Sequence, residues 1–281
     1  EIIIGAGSDQ VLEFISRSLL SSNDSVLMSK VTFAMYEIYA KQMGAKIVRT
    51  PSFVHKVDEF IKSYKEHKPK IVYLCIPNNP IGDSLSKREA FEIIDAIDNE
   101  TLVVVDGAYM EYASFKNKEY LITPRDTLKY DNVIYLGTFS KAYGLGGMRV
   151  GYGIAKSSLI REIAKMRPPF NISSLSLAAA IEALKAEDFL QESLKLHSKQ
   201  IIRYEEFAKN NNIEYIDSYT NFITYMFDDS YNSTSIADEL LRQGVIIRNL
   251  ASYGLNAIRI TIGTKEQNDR FFDSFLPLLK R

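Results

Sequence analysis

Residues 137–153, GTFSKAYGLGGMRVGYG, hold one lysine, Lys141, and one arginine, Arg149, among small and apolar neighbours. An amine desolvated by such surroundings gives up its proton more readily and serves as nucleophile and base near neutral pH. The arginine, eight positions on, is a forked and permanently charged donor suited to a phosphate. Three other stretches carry residues that could complete a site. DGAY (106–109) supplies Asp106 and Tyr109, PNNPIG (77–82) supplies Asn79, and GAGSD (5–9) sets glycines ahead of a helical pattern. Backbone N–H groups at a helix start, together with the helix dipole, attract an anion. Each stretch also has an ordinary structural use. GAGS serves as a turn and cap, Asp106 as a loop cap, NNP as a turn, and Lys141 as an outward-pointing charge.

The elements that must position these residues are readable from periodicity. Helical patterns DQVLEFISRSLL (9–20), MYEIYAKQMG (35–44), VDEFIKSYKEH (57–67) and SKREAFEIIDAI (86–97) alternate with the strand runs SVLMS (25–29), AKIVRT (45–50) and KIVYLCIP (70–77). LVVVD (102–106), NVIYLGT (132–138) and RVGYGIA (149–155) read as further strands. Continuous Val/Ile/Leu runs separated by helices predict a mostly parallel sheet covered on both faces, an α/β architecture. In such sheets ligands gather at the carboxyl ends of the strands, where Asn79, Asp106, Tyr109, Ser140 and Lys141 all fall.

Beyond residue 157 the character changes. SLIREIAKM is helical, RPPF (167–170) breaks it, and residues 173–211 read as one long or bent connecting helix. The remainder, with EYIDSYTNFITYMF, VIIRNL and AIRITIG as strands, reads as a small α+β domain. The predicted organisation is a large domain over 1–172, a connecting region over 173–211 and a small C-terminal domain over 212–281.

Composition excludes several classes. With 34 basic and 35 acidic residues the net charge is -1, which leaves no basic footprint for nucleic acid and no polybasic membrane anchor. No apolar run approaches the length that spans a bilayer. The single cysteine, Cys75, rules out an internal disulfide framework and fits a reducing cytoplasm; in IVYLCIP it reads as a buried structural thiol. His55, His67 and His197 are scattered in polar contexts and read as surface positions. They form no metal spacing and no Ser-His-Asp order, so no metal site is expected.

Asn-Pro-x-Gly, then Asp-x-x-Tyr, then Ser-Lys with an arginine eight residues later, resembles the fold-type I aminotransferases that use pyridoxal 5'-phosphate. The resemblance covers essentially the whole chain. It implies an aspartate aminotransferase-like fold, with Lys141 as the residue that joins the cofactor covalently and carries the proton. Asp106 would face the ring nitrogen, Tyr109 and Asn79 the ring's phenolate oxygen, and Phe33 of VTFAMY would stack on the ring. The backbone of Ala6, Gly7 and Ser8, with Ser140, Arg149 and Thr138, would bind the phosphate. Arg259 of AIRITIGT matches the arginine that grips the anionic substrate group. Set between Ile258 and Ile260, it would be costly without such a partner. Arg248 of VIIRN would add a second contact, and reads equally as an exposed edge-strand cation.

Within that family GAGSDQVLEF, CIPNNPIG, TFSKAYGLGGMRVGY and VIIRN…IRITIGT are most similar to the branch that transfers an amino group between histidinol phosphate and glutamate in histidine biosynthesis. The resemblance implies a cytoplasmic homodimer acting on small molecules. Aromatic amino acid transamination and threonine-phosphate decarboxylation are the neighbouring alternatives, and a non-catalytic pyridoxal-fold protein is a third. Three positions depart from the usual pattern: Ile81 stands for a threonine, Gly107 for an often acidic residue, and Phe33 for a tyrosine. The chain opens on Glu1 close to its first glycine turn. A preceding segment is therefore expected, which in the family lends a tyrosine to the neighbouring subunit's cofactor phosphate.

Overall fold

The computed structural model describes residues 1–280. Seven strands form the main sheet: β1 (Ile2–Gly5), β2 (Ser25–Met28), β3 (Lys46–Arg49), β4 (Ile71–Cys75), β5 (Leu102–Asp106), β6 (Val133–Thr138) and β7 (Gly151–Ile154). Their order is β1-β7-β6-β5-β4-β2-β3. Neighbours from β3 to β6 pair in parallel, and β7 lies antiparallel to both β6 and β1.

The middle strands are apolar on both sides because helices cover both faces. α1 (Ser8–Leu19) and α2 (Ala34–Gln42) pack on one face, burying Val11, Ile15 and Tyr36 against Tyr73, Val104 and Leu136. α3 (Val57–His67) and α4 (Lys87–Asp95) close the other, where Phe60, Tyr64 and Ile93 meet Val72, Leu74 and Val105. Alternate residues of β4 therefore serve opposite cores, which is the period of a strand. α4 starts on a capping box made by Ser86 and Glu89. Short α5 (Met110–Lys116) and α6 (Pro124–Thr127) follow β5, and α7 (Ser157–Ala164) returns over the α1 face.

The connecting region is two helices, α8 (Ser174–Lys185) and α9 (Glu187–Asn210), rather than one. Ala186 ends the first and opens the second with ψ 52, well off the helical value. Glu187 and Asp188 then fall in the first turn of α9, where acidic residues complement the dipole. The second sheet, of order β10-β11-β9-β8, is antiparallel throughout. It comprises β8 (Glu214–Tyr215), β9 (Phe222–Met226), β10 (Arg248–Asn249) and β11 (Ala257–Thr261), backed by α10 (Ser233–Arg242) and α11 (Lys265–Phe275). Tyr204 and Ala208 of α9 join Ile223, Leu240, Ile258 and Phe271 in its core. Only Arg248 and Asn249 of VIIRNL are extended, and Ile246 is exposed.

The two sheets meet at the turn after β4. Thr224 Oγ1 donates to the Pro80 carbonyl at 2.9 Å, and the Tyr219 N–H donates to the Gly82 carbonyl at 2.8 Å.

Two histidines are not surface residues. His55 is buried, its Nδ1 2.9 Å from Asp83 Oδ2, and it stacks on Phe60. His197 lies edge-on to Tyr112; burial, helped by the Lys116 charge, pulls it down to about 4. Only His67, near the end of α3, is exposed. Polar neighbours in sequence say little about a helix face that packs inward.

Candidate active site

Parallel pairing sets Cys75 beside Asp106 and Asp106 beside Leu136, so the ends of β4, β5 and β6 open on one edge of the sheet. A cavity lies there, lined by Phe33, Asn79, Asp106, Tyr109, Ser140 and Lys141. Gly7, Ser8, Thr138 and Arg149 complete the expected part of its wall. Cys75, Ala108 and Asp9 also line it and were not anticipated.

Asp106 is 3% exposed. Its Oδ1 accepts the Ala108 N–H at 3.1 Å, and its Oδ2 accepts the Tyr36 hydroxyl at 2.7 Å. Burial pushes this carboxyl above its usual range, against the two donors and the Lys141 charge. Among the described residues no cation forms an ion pair with Asp106. Lys141 likewise has no acceptor; its Nζ stands 5.3 Å from the centre of the Tyr109 ring. Burial pulls the amine below its ordinary value, and the charges of Arg259 and Arg149 pull the same way. Tyr109 is buried, packed edge-on against Phe222 at 5.5 Å, and desolvation holds its phenol protonated.

At the other end of the cavity α1 begins at Gly7 with no side-chain cap. Arg149 adopts a left-handed φ of 54° and turns back, donating to Ser140 Oγ at 3.2 Å and to the Gly146 carbonyl at 2.9 Å. Gly7 sits at a φ of 82°, which favours glycine, and leaves room for Arg149 Nη2, which a Cβ there would meet at 2.5 Å. Ser140 is held by Thr138, whose hydroxyl donates to Ser140 Oγ and accepts the Ser140 N–H. Uncapped amides, a serine hydroxyl and an arginine fork form a donor set for a dianion. Asp9, in the first turn of α1, carries a buried Oδ1 without a partner, and burial raises its carboxyl.

Ala6 is the one expected cofactor contact absent from the wall. Its N–H is taken by Gln10 Oε1 at 2.8 Å. Arg259 stands behind Asn79, donating from Nη1 to Asn79 Oδ1 at 2.5 Å, with its guanidinium 4.7 Å from the Phe222 ring centre. Arg248 pairs with it across β10 and β11 but is exposed, and it lines a second cleft with Phe33, Lys30 and Tyr253.

A family model for class I and II aminotransferases matches residues 1–275. The chain belongs to that family. This aminotransferase is 66% identical to the histidinol-phosphate aminotransferase of Sulfurovum sp. over 278 residues, which span 99% of this chain and 76% of the relative. The Campylobacter jejuni serotype O:2 enzyme of that name is 54% identical, spanning 99% and 77%. Among solved structures, the histidinol-phosphate aminotransferase of Sinorhizobium meliloti in complex with pyridoxal-5'-phosphate superposes with a TM-score of 0.92. That match has 26% identity and spans 99% of this chain and 76% of the other. Like them, the aminotransferase is an enzyme of mixed α/β architecture. None of its helices, among the described residues, is long and apolar enough to cross a membrane.

Proposed function

We propose that this aminotransferase moves an amino group between histidinol phosphate and glutamate, with pyridoxal 5'-phosphate as cofactor, in histidine biosynthesis. The observation that carries the chemistry is the facing pair at the strand ends: an unpaired, desolvated Lys141 amine and a buried Asp106 carboxylate without a cation. The substrate follows the name shared by relatives at 54–66% identity.

The donor set fits the cofactor. Arg149, Ser140 and the open start of α1 would hold its phosphate, and Asp106 suits a protonated ring nitrogen. Bound pyridoxal 5'-phosphate supplies an aldehyde for the amino group and a ring that accepts the electron pair left when the substrate carbon loses a proton. Lys141 Nζ would hold the cofactor covalently and, as a neutral amine, would carry the proton at the substrate carbon. Asp106 would keep a proton on the ring nitrogen, and Phe33, on the cavity wall, would pack on the ring. Asn79 has its Oδ1 occupied by Arg259, which leaves its amide N–H₂, and with it the Tyr109 hydroxyl on the same cavity wall, to donate to the ring's phenolic oxygen. Arg259, with Arg248 at the rim, receives the substrate anion, a carboxylate in one half-reaction and a phosphate in the other.

The reading extends to a cytoplasmic homodimer. A free buried cysteine agrees with a reducing compartment. Exposed Ile181 and Leu184, neighbours three positions apart on α8, give an apolar patch for a second copy. The test is the purified holoenzyme with histidinol phosphate, phenylalanine or threonine phosphate as donor and 2-oxoglutarate as acceptor. Glutamate should form at least about tenfold faster from histidinol phosphate than from phenylalanine. Faster turnover of phenylalanine, or release of carbon dioxide from threonine phosphate, would replace this substrate assignment.

A further inference from the structure

Tyr36 does not line the cavity, and the titratable groups its hydroxyl meets are the Asp106 carboxylate and the Cys75 thiol, which burial keeps protonated. It lies on α2 one turn after Phe33, is fully buried, and donates its hydroxyl proton to Asp106 Oδ2 at 2.7 Å. Its ring is clamped on two sides. Tyr73 stacks on it at 4.5 Å with a 5° tilt, and Phe33 meets it edge-on at 5.6 Å. The phenol therefore cannot slide or swing, and its donor direction is set by packing.

Asp106 has one neutral donor on each oxygen, the Ala108 N–H on Oδ1 and Tyr36 on Oδ2. Two anchors fix the rotation of the carboxylate, and each oxygen keeps a further lone pair for a ligand. Burial alone favours the neutral acid, which could not hold a proton on a ring nitrogen. The proton on Tyr36 is secure, because burial and the neighbouring Asp106 charge both oppose its loss. The phenol is thus a donor that the carboxylate cannot deprotonate.

We infer that Tyr36 is a positioning residue for amino transfer: its hydroxyl holds the Asp106 carboxylate in the orientation and ionised form that the cofactor's ring nitrogen requires. This rests on the assignment of Asp106 given above. Losing the hydroxyl should weaken cofactor binding and slow the chemical step, and should leave binding of the substrate anion at Arg259 alone. It should also raise the pH midpoint of the bound cofactor's visible band, since a less positive ring lets the lysine-linked nitrogen keep its proton longer.

Tyr73 provides the control. It is equally buried and sits in the same stack, but its hydroxyl meets Ser16 Oγ at 3.3 Å and not Asp106. Tyr36→Phe, Tyr73→Phe and Asp106→Asn proteins are reconstituted with pyridoxal 5'-phosphate. Cofactor Kd, the pH titration of the visible band, kcat and KM are measured, with thermal midpoints as a check on folding. Tyr36→Phe should raise the cofactor Kd about tenfold and lower kcat about tenfold, as expected for a lost hydrogen bond to a charged group. Its KM for glutamate should stay within about threefold of wild type, and the band's midpoint should move up. Tyr73→Phe should change none of these. If Tyr36→Phe matches Tyr73→Phe in Kd, midpoint and kcat, the positioning role is wrong. If Asp106→Asn itself leaves the spectrum and kcat of wild type, the assignment of Asp106 falls instead.

Discussion

Burial acts on the ionisable residues of this chain in opposite senses, and the sense decides what each can do. It lowers Lys141, which makes the amine available as a base, and raises Asp106, which the Tyr36 and Ala108 donors oppose. Replacing Lys141 with Ala removes the proposed covalent anchor and base, so amino transfer should fall by on the order of 10⁴-fold or more. Borohydride treatment of the loaded wild-type protein should fix the cofactor mass on the peptide that holds Lys141; a label on any other lysine would move the assignment. Glu111, on the first turn of α5, has no such task. Burial raises its carboxyl to about 7, and the groups around it are the neutral phenols of Tyr135, Tyr143 and Tyr152 rather than a cation. Because the folded value lies above the unfolded one near 4.5, folding favours the protonated acid. Stability from this group is full below about pH 4.5 and is lost as pH rises through about 7. Glu111→Gln cannot ionise. It should raise the thermal midpoint at pH 8 by a few degrees, on the order of 2 kcal/mol, and give no gain at pH 4.5. Equal gains at both pH values would show that the carboxyl is not the cause.

Elements carry the site only where they approach each other closely. β7 crosses the start of α1 so tightly that a Cβ on Gly151 would lie 2.0 Å from the Ser8 nitrogen and 2.3 Å from the Gly7 carbonyl carbon. Both are backbone atoms of the loop proposed to hold the phosphate and cannot step aside. Gly151→Ala should therefore cost about 3 kcal/mol and weaken cofactor binding along with stability. Gly147→Ala, in the same glycine-rich segment, meets nothing within 4 Å and should stay within about 0.5 kcal/mol of wild type. Paired melting curves and cofactor titrations decide it, and equal effects would mean that the crossing is not the constraint. The same elements show what was legible in advance. LVVVD and NVIYLGT announce buried parallel strands, and their terminal Asp106 and the following Ser140 and Lys141 fall where such sheets bind ligands. Tyr36 was not legible, because its partner lies 70 positions away and its spacing is that of any core residue of an amphipathic helix. The break at Ala186 was not legible either: alanine favours helix, and only the packing of α8 and α9 on different partners turns the chain there. The Ala6 N–H, expected to face the phosphate, is instead engaged by Gln10, a side chain one helical turn ahead that nothing in the sequence singles out.

At the scale of the molecule, the open question is what covers α8. Its inner face is accounted for: Ala180 and Ala183 pack with Leu145 and Met148, inside the segment that carries Lys141 and Arg149. On its outward side Ile181 at 55% exposure and Leu184 at 63% lie beside the exposed Glu182–Lys185 ion pair, with Leu175 at 76% near the helix start and Phe170 on the preceding turn at 99%. Single exposed apolar side chains are ordinary, but a run of them on one helix and its flank marks an interface. A second copy seated there would press α8 onto the lysine segment, so association and cofactor retention should be coupled. Wild-type protein should then have twice the 31.9 kDa mass of one chain in solution. Leu184→Glu with Phe170→Glu would bury two unpaired charges from each copy on association, and should weaken the dimer at least about a hundredfold. The variant's monomers should fold, since both side chains are solvent-exposed in the single chain, and should lose cofactor on dilution at concentrations where wild type keeps it. Sedimentation read alongside visible absorbance over a dilution series makes the comparison. A wild-type monomer would end the dimer reading, and a monomeric variant that retains cofactor as wild type does would cut the link between interface and site.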